Sequence, residues 1–337
     1  MNAFFNINIL LPPLAFVCSI AILLFILKTN FHQIALDQPN QRSLHHKPIP
    51  RLGGLGIFIS FLLSLLFQVQ VQPIPLIFFG CLVLSSISLL DDLFNLSFLI
   101  RLCIHAAVAI LFIFNLPFPM TITWKIFFVM ATIWSINLYN FMDGSDGLAG
   151  GMAFFGFGFY AISAYEQHAF SLALMGLTLS LTALAFLFFN FHPAKIFLGD
   201  SGSVPLGFLM SALGILGMTQ KIWTFFFPLF VFSPFIFDAT ITLFKRLYRK
   251  EKIWQAHKEH YYQRMIQLGY GHKKTALYAY SLMFFSGLIG MISMHSSLFI
   301  QGLLFSGLTV FYGMLMRFID QKWLQFQTPK QLTHVQL

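Results

Sequence analysis

Five carboxylates are prominent in this sequence because each lies in an otherwise apolar stretch. The stretches are SLLDDLFNLS, NFMDGSDGLA and KIFLGDSGSV, and the acids are Asp91, Asp92, Asp143, Asp146 and Asp200. Carboxylate oxygens are hard ligands suited to Mg²⁺, which usually takes one or two protein oxygens together with substrate phosphates. The glycines beside them let backbone N–H groups approach phosphate oxygens, and a helix N-terminus adds a favourable dipole. These residue types predict chemistry on phosphate groups.

The composition indicates what kind of scaffold holds these acids. The chain has 337 residues, of which 58% are hydrophobic and 9% charged, whereas soluble domains average about 25% charged residues. Apolar stretches of membrane-spanning length recur from end to end. We therefore predict an all-α polytopic membrane protein, with residues 1–337 forming a single integral membrane domain in the lipid bilayer.

Eleven membrane spans are predicted from the apolar stretches. They are 7–27, 53–69, 74–90, 101–116, 122–141, 147–165, 169–190, 203–218, 223–244, 276–294 and 298–318. Eighteen of the 20 Lys and Arg residues fall in alternate loops or at their helix ends, and only Lys125 and Lys221 lie on the other side. The positive-inside rule then places the N-terminus outside and the C-terminus in the cytosol. The net charge of +9 thus reflects topology and attraction to anionic lipid, and no nucleic-acid partner is predicted.

All three acidic stretches fall on the predicted cytosolic side. Each one alone has a simpler interpretation: DGSDG is a common turn, Asp91 and Asp92 could cap a helix end, and GDSGS could be a glycine-rich turn with Ser201 or Ser203 as N-cap. Together they favour a shared site, because ionisable groups at membrane depth are costly.

Cations predicted on the same face complete the set of groups. They are Arg42, Lys47, Arg51 and Arg101. Metal, phosphate-binding backbone and arginine together are typical of phosphoryl transfer, in which positioning and charge neutralisation supply most of the catalysis.

The cytosolic loop 245–275 is predicted to contribute to the site. It carries nine Lys or Arg and two acidic residues. A helix here would put His257, His260 and Arg264 on one face, which favours an anion-binding role for these three. For the lysines we favour a juxtamembrane helix that binds lipid head groups. A zinc site at His-x-x-His lacks a third ligand nearby.

Two further features are assigned structural roles. Asp238, in FIFDATITL, is expected to pair with Lys245 or Arg246. The aromatic run FFNFH at 188–192 is interpreted as lipid-facing packing.

Five motifs in order resemble those of the polyprenyl-phosphate N-acetylhexosamine-1-phosphate transferases, of the glycosyltransferase family 4 type. They are DQPNQRSLHHKPIPRLGGLGIF (37–58), LLDDLFNLSFLIR (89–101), NLYNFMDGSDGLAGG (137–151), IFLGDSGSVPLGF (196–208) and HKEHYYQRMIQLG (257–269). The resemblance implies a bacterial inner-membrane enzyme with a cytosolic active site. It would transfer a sugar 1-phosphate from a UDP-sugar donor to undecaprenyl phosphate, release UMP and use Mg²⁺, with Mn²⁺ as an alternative.

The resemblance also implies roles for individual residues. Asp91 and Asp92 match the catalytic pair near the lipid phosphate, and Asp200 matches a metal ligand that Asn140 joins in some branches. The implied substrate-binding residues are Arg42, His45, Arg51, Asn95, Arg101, Asp143, Asp146, Phe197, His257, His260 and Arg264. Within this set Arg101 would bind phosphate, Asp143 and Asp146 would order the nucleotide and diphosphate, and Phe197 would stack on uracil.

One departure from the family pattern concerns the last cytosolic loop. Many members carry His-x-His-His there, whereas this chain has His260-Tyr261-Tyr262-Gln263-Arg264. This looks like the O-antigen-initiating branch of lipopolysaccharide synthesis, whose donors include N-acetylglucosamine and the 6-deoxy sugars N-acetylfucosamine and N-acetylquinovosamine. A homodimer is a further expectation.

Two other classes of membrane protein use similar residues. A CDP-alcohol phosphotransferase would also use acids and Mg²⁺, but its single D-G-x-x-A-R…G-x-x-x-D-x-x-x-D run is absent from this sequence. A transporter would place ionisable groups near the midplane on broken helices, often in repeated halves, and neither pattern is found here.

Overall fold

The structure is a computed structural model that describes residues 8–38, 48–67, 73–94, 96–252, 255 and 257–334. Within them the elements are α1 (Leu11–Lys28), a 3₁₀ turn (Asn30–Gln33), β1 (Leu36–Asp37), β2 (Ile49–Pro50), α2 (Gly53–Leu66), α3 (Ile74–Phe94), α4 (Phe98–Phe114), α5 (Ile122–Phe141), α6 (Leu148–Glu166), α7 (Phe170–Asn190), α8 (Asp200–Thr219), α9 (Phe226–Val231), α10 (Ser233–Tyr248), α11 (Tyr261–Met265), a π-turn (Ile266–Tyr270), α12 (Gly271–Ser293) and α13 (Leu298–His334). The two short strands pair antiparallel.

The chain is an all-α polytopic membrane protein, as predicted. Eight helices in the described part of the chain are long and apolar enough to cross a membrane, and α2 and α4 are shorter apolar helices. Large apolar side chains such as Leu111, Phe188 and Phe299 are exposed on the outside of the bundle, as expected for surfaces that face lipid. The predicted total of eleven spans and their orientation stay predictions.

The predicted span 223–244 is wrong as a single helix. It is divided into α9 and α10, which meet at Phe232. Pro234 lies in the first turn of α10 and has no N–H to offer the carbonyl of Phe230, four residues earlier. The Ser233 hydroxyl donates to that carbonyl instead, at 2.8 Å. Proline therefore separates the two helices, while serine satisfies the freed backbone oxygen.

Helix α8 forms the centre of the bundle and begins at Asp200, three residues before the predicted span. Nearly all its residues are buried, and it packs against α3 and α5 as well as the N-terminal part of α2. Its sequence, DSGSVPLGFLMSALGILGMT, is rich in glycine and serine. Small residues let helix backbones approach closely in membranes, where van der Waals packing replaces the hydrophobic effect as the source of helix association.

The closest approach of α8 to α2 is made by two glycines. A Cβ added at Gly54 would lie 2.4 Å from the backbone N and Cα of Gly202. Because the obstacle is backbone and cannot rotate away, only glycine fits at residue 54. This crossing holds the start of α2 against the start of α8, where Asp200 lies.

We predict that Gly54→Ala lowers the free energy of unfolding by about 1–3 kcal/mol, the usual cost of overpacking. The steric clash must outweigh the gain of about 1 kcal/mol that Ala normally brings to a helix. Thermal unfolding in detergent, followed by tryptophan fluorescence, measures the change. Gly307→Ala on α13 is the matched control, since a Cβ there meets nothing within 4 Å among the described atoms. Equal stability of Gly54→Ala and the wild type would contradict the close crossing.

Candidate active site

The segment before α8 is held by backbone hydrogen bonds to the end of β2 and the start of α2. Gly53 N–H donates to Phe197 O at 2.8 Å, Gly54 N–H donates to Leu198 O at 2.9 Å, and Phe197 N–H donates to Pro50 O at 2.8 Å. Gly199 follows with φ +74, and a Cβ at this glycine would lie 2.3 Å from the carbonyl oxygen of Arg51. The glycine of the LGD motif thus allows the chain to turn beside Arg51 and point Asp200 into the site.

Arg101 joins two of the acidic stretches. Its Nη1 lies 2.6 Å from Asp91 Oδ2 and 3.3 Å from Asp200 Oδ2. Asp91 is at the C-terminal end of α3, Arg101 is in the first turn of α4, and Asp200 begins α8. One guanidinium therefore connects three helix ends, and the structure brings Asp91, Asp200 and Arg101 together as the sequence predicts.

Asp92 and Arg51 form the other side of the same site. Arg51 Nη1 is 3.7 Å from Asp92 Oδ1, and the Asp92 side chain is only 3% exposed. Within the described residues Asp92 Oδ2, Arg51 Nε and Arg101 Nε are buried without hydrogen-bond partners. Buried polar groups are normally satisfied, so these three atoms indicate that a polar ligand belongs here.

The two carboxylates of the Asp-Asp pair have different surroundings. Asp91 Oδ1 accepts the backbone N–H of Leu96 at 2.7 Å, and its Oδ2 accepts from Arg101. Both Asp91 oxygens are therefore occupied by protein donors. Asp92 keeps an oxygen available, so it is the member of the pair that can contact a ligand or metal directly.

Asn140 orients Asp200. Its Nδ2 donates to Asp200 Oδ2 at 3.3 Å, and its Oδ1 accepts from the Ser203 hydroxyl at 2.9 Å. Among the described residues no three His, Cys, Asp or Glu side chains form a ready-made metal cluster. A Mg²⁺ site needs only one or two carboxylates besides substrate phosphates and water, and Asp200 with the available oxygen of Asp92 fits that requirement.

Asp143 is close to these acids. Desolvation raises its pKa well above the usual range for a carboxyl group, and the negative charges of Asp200 and Asp92 raise it further. The backbone N–H of Gly199 opposes these effects. A cation bound among the acids would favour the ionised form, so binding there is expected to release a proton.

Asp146 lies three residues further on but points elsewhere. Its Oδ2 is 2.6 Å from His192 Nδ1 and accepts the backbone N–H of Ala194 at 3.2 Å, and its Oδ1 is 3.8 Å from His272 Nδ1. The two histidine rings stack, with centroids 5.4 Å apart. The DGSDG stretch therefore supplies Asp143 to the acidic cluster, which also holds Asp91, Asp92 and Asp200. Its other carboxylate, Asp146, contacts the histidine pair His192 and His272.

The interpretation of FFNFH as lipid-facing packing is only partly right. Phe188 is exposed, but Asn190 is 4% exposed. Its Oδ1 accepts from Gly147 N–H and its Nδ2 donates to Ile196 O, both at 2.9 Å. Asn190 and His192 thus tie the end of α7 to the DGSDG stretch and to the segment before α8.

The helix expected to align His257, His260 and Arg264 on one face is absent at His257, because α11 begins only at Tyr261. His260 is its N-cap, with the ring 4.8 Å from that of His257. Burial lowers the pKa of His257 to about 4, and the neighbouring His260 and Arg246 act in the same direction. His257 is therefore neutral at pH 7 and brings no positive charge to an anion.

The segment from His260 reaches the acidic cluster through Phe141. The His260 ring stacks on Phe141 with centroids 6.2 Å apart, and the Tyr262 hydroxyl donates to Phe141 O at 3.2 Å. Phe141 lines the same cavity as Arg101 and Asp200. His260 is itself 3% exposed, so its place is beside the cavity wall.

The expected pairing of Asp238 with Lys245 or Arg246 is wrong. Asp238 accepts the backbone N–H groups of Tyr261 at 2.9 Å and Tyr262 at 3.0 Å, and its Oδ1 lies 3.2 Å from His260 Nδ1. It is thus the anion at the N-terminus of α11, where unpaired N–H groups need an acceptor. Lys245 pairs instead with Asp320, and Arg246 pairs with Glu251 and Glu259.

Arg264 lies in a different environment from the one its phosphate-binding prediction assumes. It is 5% exposed, and its Nη1 donates to Asp320 Oδ1 at 2.8 Å while its Nη2 lies 3.5 Å from Glu259 Oε2. The loop 245–275 is therefore more than a solvated basic surface, because buried Arg–Glu and Arg–Asp contacts connect α10, α11 and α13.

Of the remaining predicted site residues, three lie outside the described residues and one lies beside the site. The three are Arg42, His45 and Asn95. Phe197 is partly exposed and lies beside the site, fixed by its backbone bonds to β2 and α2. Asn190, His192, His272 and Asp320 were not predicted as site or supporting residues, and Asp238 and Ser203 were predicted only in other structural roles. Asn and His between apolar runs, as at Asn190 and His192, were the available signal in the sequence.

Comparisons with known proteins identify the class of membrane enzyme to which this fold and candidate site belong. Residues 74–218 match the model of glycosyl transferase family 4. The probable undecaprenyl-phosphate N-acetylglucosaminyl 1-phosphate transferase of Bacillus subtilis is 31% identical, over 74% of this chain and 75% of that protein. The undecaprenyl-phosphate α-N-acetylglucosaminyl 1-phosphate transferase of Thermotoga maritima is 29% identical, over 87% and 92%.

The name of a third relative specifies a different sugar substrate. The phospho-N-acetylmuramoyl-pentapeptide-transferase of Staphylococcus saprophyticus is 28% identical, over 78% of this chain and 91% of that protein. The chain belongs to the polyprenyl-phosphate hexosamine-1-phosphate transferase family, within glycosyl transferase family 4. The family predicted from the sequence is thereby confirmed.

We predict that Asp238→Asn destabilises the protein by about 1–3 kcal/mol, because the new amide group presents N–H to backbone N–H groups that need an acceptor. Thermal unfolding measures the loss, and hydrogen exchange should increase first in residues 257–265. Glu166→Gln is the control, since this acid is exposed at the end of α6. Unchanged exchange in that segment would show that Asp238 does not hold α11.

Proposed function

We propose that the protein transfers N-acetylglucosamine 1-phosphate from its UDP-sugar to undecaprenyl phosphate and releases UMP. The product would begin a lipid-linked cell-envelope polysaccharide such as O-antigen, on the cytosolic side of a bacterial inner membrane. The observation that supports this most strongly is the joining of Asp91, Asp200 and Arg101 across three helix ends, with Asp92 beside them, in a chain of this family.

The reaction is a displacement at phosphorus. An oxygen of the acceptor phosphate attacks the donor phosphorus that carries the sugar, a new P–O bond forms, and the bond to the UMP phosphate oxygen breaks. A phosphate monoester has a second pKa near 6, so the acceptor is mostly ionised at pH 7. A strong general base is therefore unnecessary, and placement and charge neutralisation carry most of the catalysis.

The residues of the site fit these tasks. Arg101 and Arg51 oppose the negative charge of the phosphates, and Asp91 fixes Arg101 by accepting from its guanidinium. Asp200, with Asn140 beside it, and the available oxygen of Asp92 would hold Mg²⁺. When bound, Mg²⁺ neutralises charge on the diphosphate and on the leaving UMP.

The location of the site matches the solubility of the two substrates. A nucleotide sugar is soluble in water, whereas a polyprenyl chain is confined to the bilayer. The phosphates can therefore meet only near a membrane surface, and the acids lie at helix ends. Lys and Arg are concentrated in the loops on the same side, which supports a cytosolic site.

The proposed donor sugar is inferred from the names of the relatives. Two of those described above are named as N-acetylglucosaminyl 1-phosphate transferases, which favours N-acetylglucosamine. The change from His-x-His-His to His260-Tyr261-Tyr262 keeps the 6-deoxy donors, N-acetylfucosamine and N-acetylquinovosamine, as alternatives for the same reaction.

A panel of UDP-sugars tests the donor. The purified protein is incubated with undecaprenyl phosphate, Mg²⁺ and each sugar nucleotide, and lipid-linked product and UMP are measured together. We expect equal amounts of both with UDP-N-acetylglucosamine, no UMP without the acceptor, and loss of both in Asp200→Asn. A 6-deoxy donor turned over faster would correct the sugar, and an absence of product from every donor would contradict the proposed reaction.

Separate substitutions of the Asp-Asp pair test the division of roles. Asp92→Asn should reduce kcat at least about a hundredfold, because it removes the available carboxylate. Asp91→Asn keeps one amide oxygen that can still accept from Arg101 but turns its NH2 group toward the Leu96 N–H. We therefore expect a smaller loss of kcat, about tenfold, together with a lower stability. Steady-state kinetics at saturating Mg²⁺ separate the two, and a larger loss in Asp91→Asn would reverse the assignment.

A further inference from the structure

A second layer of polar side chains lies one helical turn deeper in the bundle than the acids. Ser88 precedes Asp92 by four residues on α3, His105 follows Arg101 by four on α4, and Asn137 precedes Asn140 by three on α5. Residues three and four apart share a helix face. The deeper layer therefore lies directly beneath the catalytic groups.

Both layers line one cavity of about 80 Å³. Arg101, Asn140 and Asp200 bound it at the helix ends, and Ser88, His105 and Asn137 bound it further in. The volume has room for a few groups of the size of water. Apolar side chains, among them Leu102 and Val204, form the rest of its wall. A ligand here would thus meet polar atoms and hydrocarbon together.

His105 is the most informative member of this layer. It is 5% exposed, and its Nδ1 is buried with no hydrogen-bond partner among the described residues. A buried imidazole nitrogen left unpaired is destabilising, and a buried, unpaired polar group often marks a site that receives a ligand. Asn137 already uses one of its two Nδ2–H groups on Ile133 O at 2.8 Å. In this layer His105 is the side chain with a wholly unused buried ring nitrogen, and Ser88 adds a hydroxyl donor.

The depth of this layer in the bundle indicates which of the two substrates it contacts. Each residue lies further from its helix end than the acid, amide or arginine of the same helix, by about 5 Å per turn. A water-soluble nucleotide approaches the acids from the helix ends, whereas a lipid phosphate approaches from the hydrocarbon. A phosphate oxygen needs hydrogen-bond donors, and the first isoprenoid carbons need an apolar wall. The cavity offers both.

We propose that His105 is an acceptor-binding residue, which donates a hydrogen bond to the phosphate of the polyprenyl phosphate on the membrane side of Arg101, with Ser88 as a second donor. The inference rests on the proposed function, because it assumes that a lipid phosphate is the acceptor. It assigns His105 to acceptor binding alone and gives it no contact with the nucleotide.

Binding of farnesyl phosphate to the full-length protein in detergent tests the assignment without turnover. The concentration dependence of the melting temperature gives the Kd, and farnesol serves as the probe without phosphate. His105→Leu should weaken farnesyl phosphate binding about tenfold or more, the loss expected when a hydrogen bond to a charged group is removed. His105→Gln keeps an N–H donor and should stay within about threefold. Farnesol should bind all variants equally.

Kinetics should show the same selectivity. In His105→Leu the KM for undecaprenyl phosphate should rise about tenfold, while the KM for the UDP-sugar changes less than about twofold. Thr132→Val is the matched control for damage to the bundle, because it removes a buried hydrogen bond to Ser211, at 2.8 Å, away from the acids. It should leave both KM values unchanged.

The outcomes separate the two proposals. The role of His105 would be overturned if His105→Leu bound farnesyl phosphate as tightly as the wild type. It would also be overturned if His105→Leu raised only the KM for the UDP-sugar. Neither result would affect the proposed function, provided that the wild type transfers the sugar. A wild type that transfers no sugar from any donor would contradict the proposed function itself. If His105→Leu does not fold, Ser88→Ala removes a single hydroxyl and should weaken binding about threefold or more; unchanged affinity there would overturn the inference.

Discussion

The contact of Arg101 with Asp91 and Asp200 is the interaction on which the site depends. Several carboxylates converge at these helix ends, and like charges in a desolvated place repel strongly. The guanidinium compensates two of them at once, at 2.6 and 3.3 Å. Because its partners belong to α3 and α8 while Arg101 belongs to α4, the same contact fixes how three helix ends meet. Removing one partner of such a pair leaves an uncompensated charge and is costly.

The rest of the bundle supports this contact in two ways. Small residues on α8 permit close packing at the Gly54–Gly202 crossing. Together with the hydrogen bonds that the carbonyls of Phe197 and Leu198 accept from α2, this crossing fixes Asp200 at the start of α8. On the other side Asp238 and Asp320 satisfy the N–H groups and cations of the segment after α10. That segment reaches the cavity through Phe141. The candidate catalytic groups therefore lie on helix ends, and a buried charge network holds the loop beside them.

Sequence reasoning predicted the membrane fold, the family and the grouping of Asp91, Asp92, Asp200 and Arg101, because isolated acids in apolar surroundings and motif order are local signals. It did not separate Asp143 from Asp146, since the direction of each side chain depends on a turn and on His192, 46 residues away. It placed a helix through His257 because periodicity cannot show that Asp238, 23 residues earlier than Tyr261, starts the helix there. The partners of Asp320 were equally non-local.

A sugar 1-phosphate transferase moves the donor's β-phosphorus together with the sugar, so the fate of that phosphorus distinguishes transfer of a sugar 1-phosphate from transfer of a sugar. UDP-N-acetylglucosamine labelled with ³²P at the β-phosphate is mixed with excess protein, undecaprenyl phosphate and Mg²⁺ for a single turnover, and the lipid and aqueous phases are separated. We expect the label in the lipid phase and unlabelled UMP in water. Label recovered in UDP, with sugar but no ³²P in the lipid, would contradict the proposed reaction.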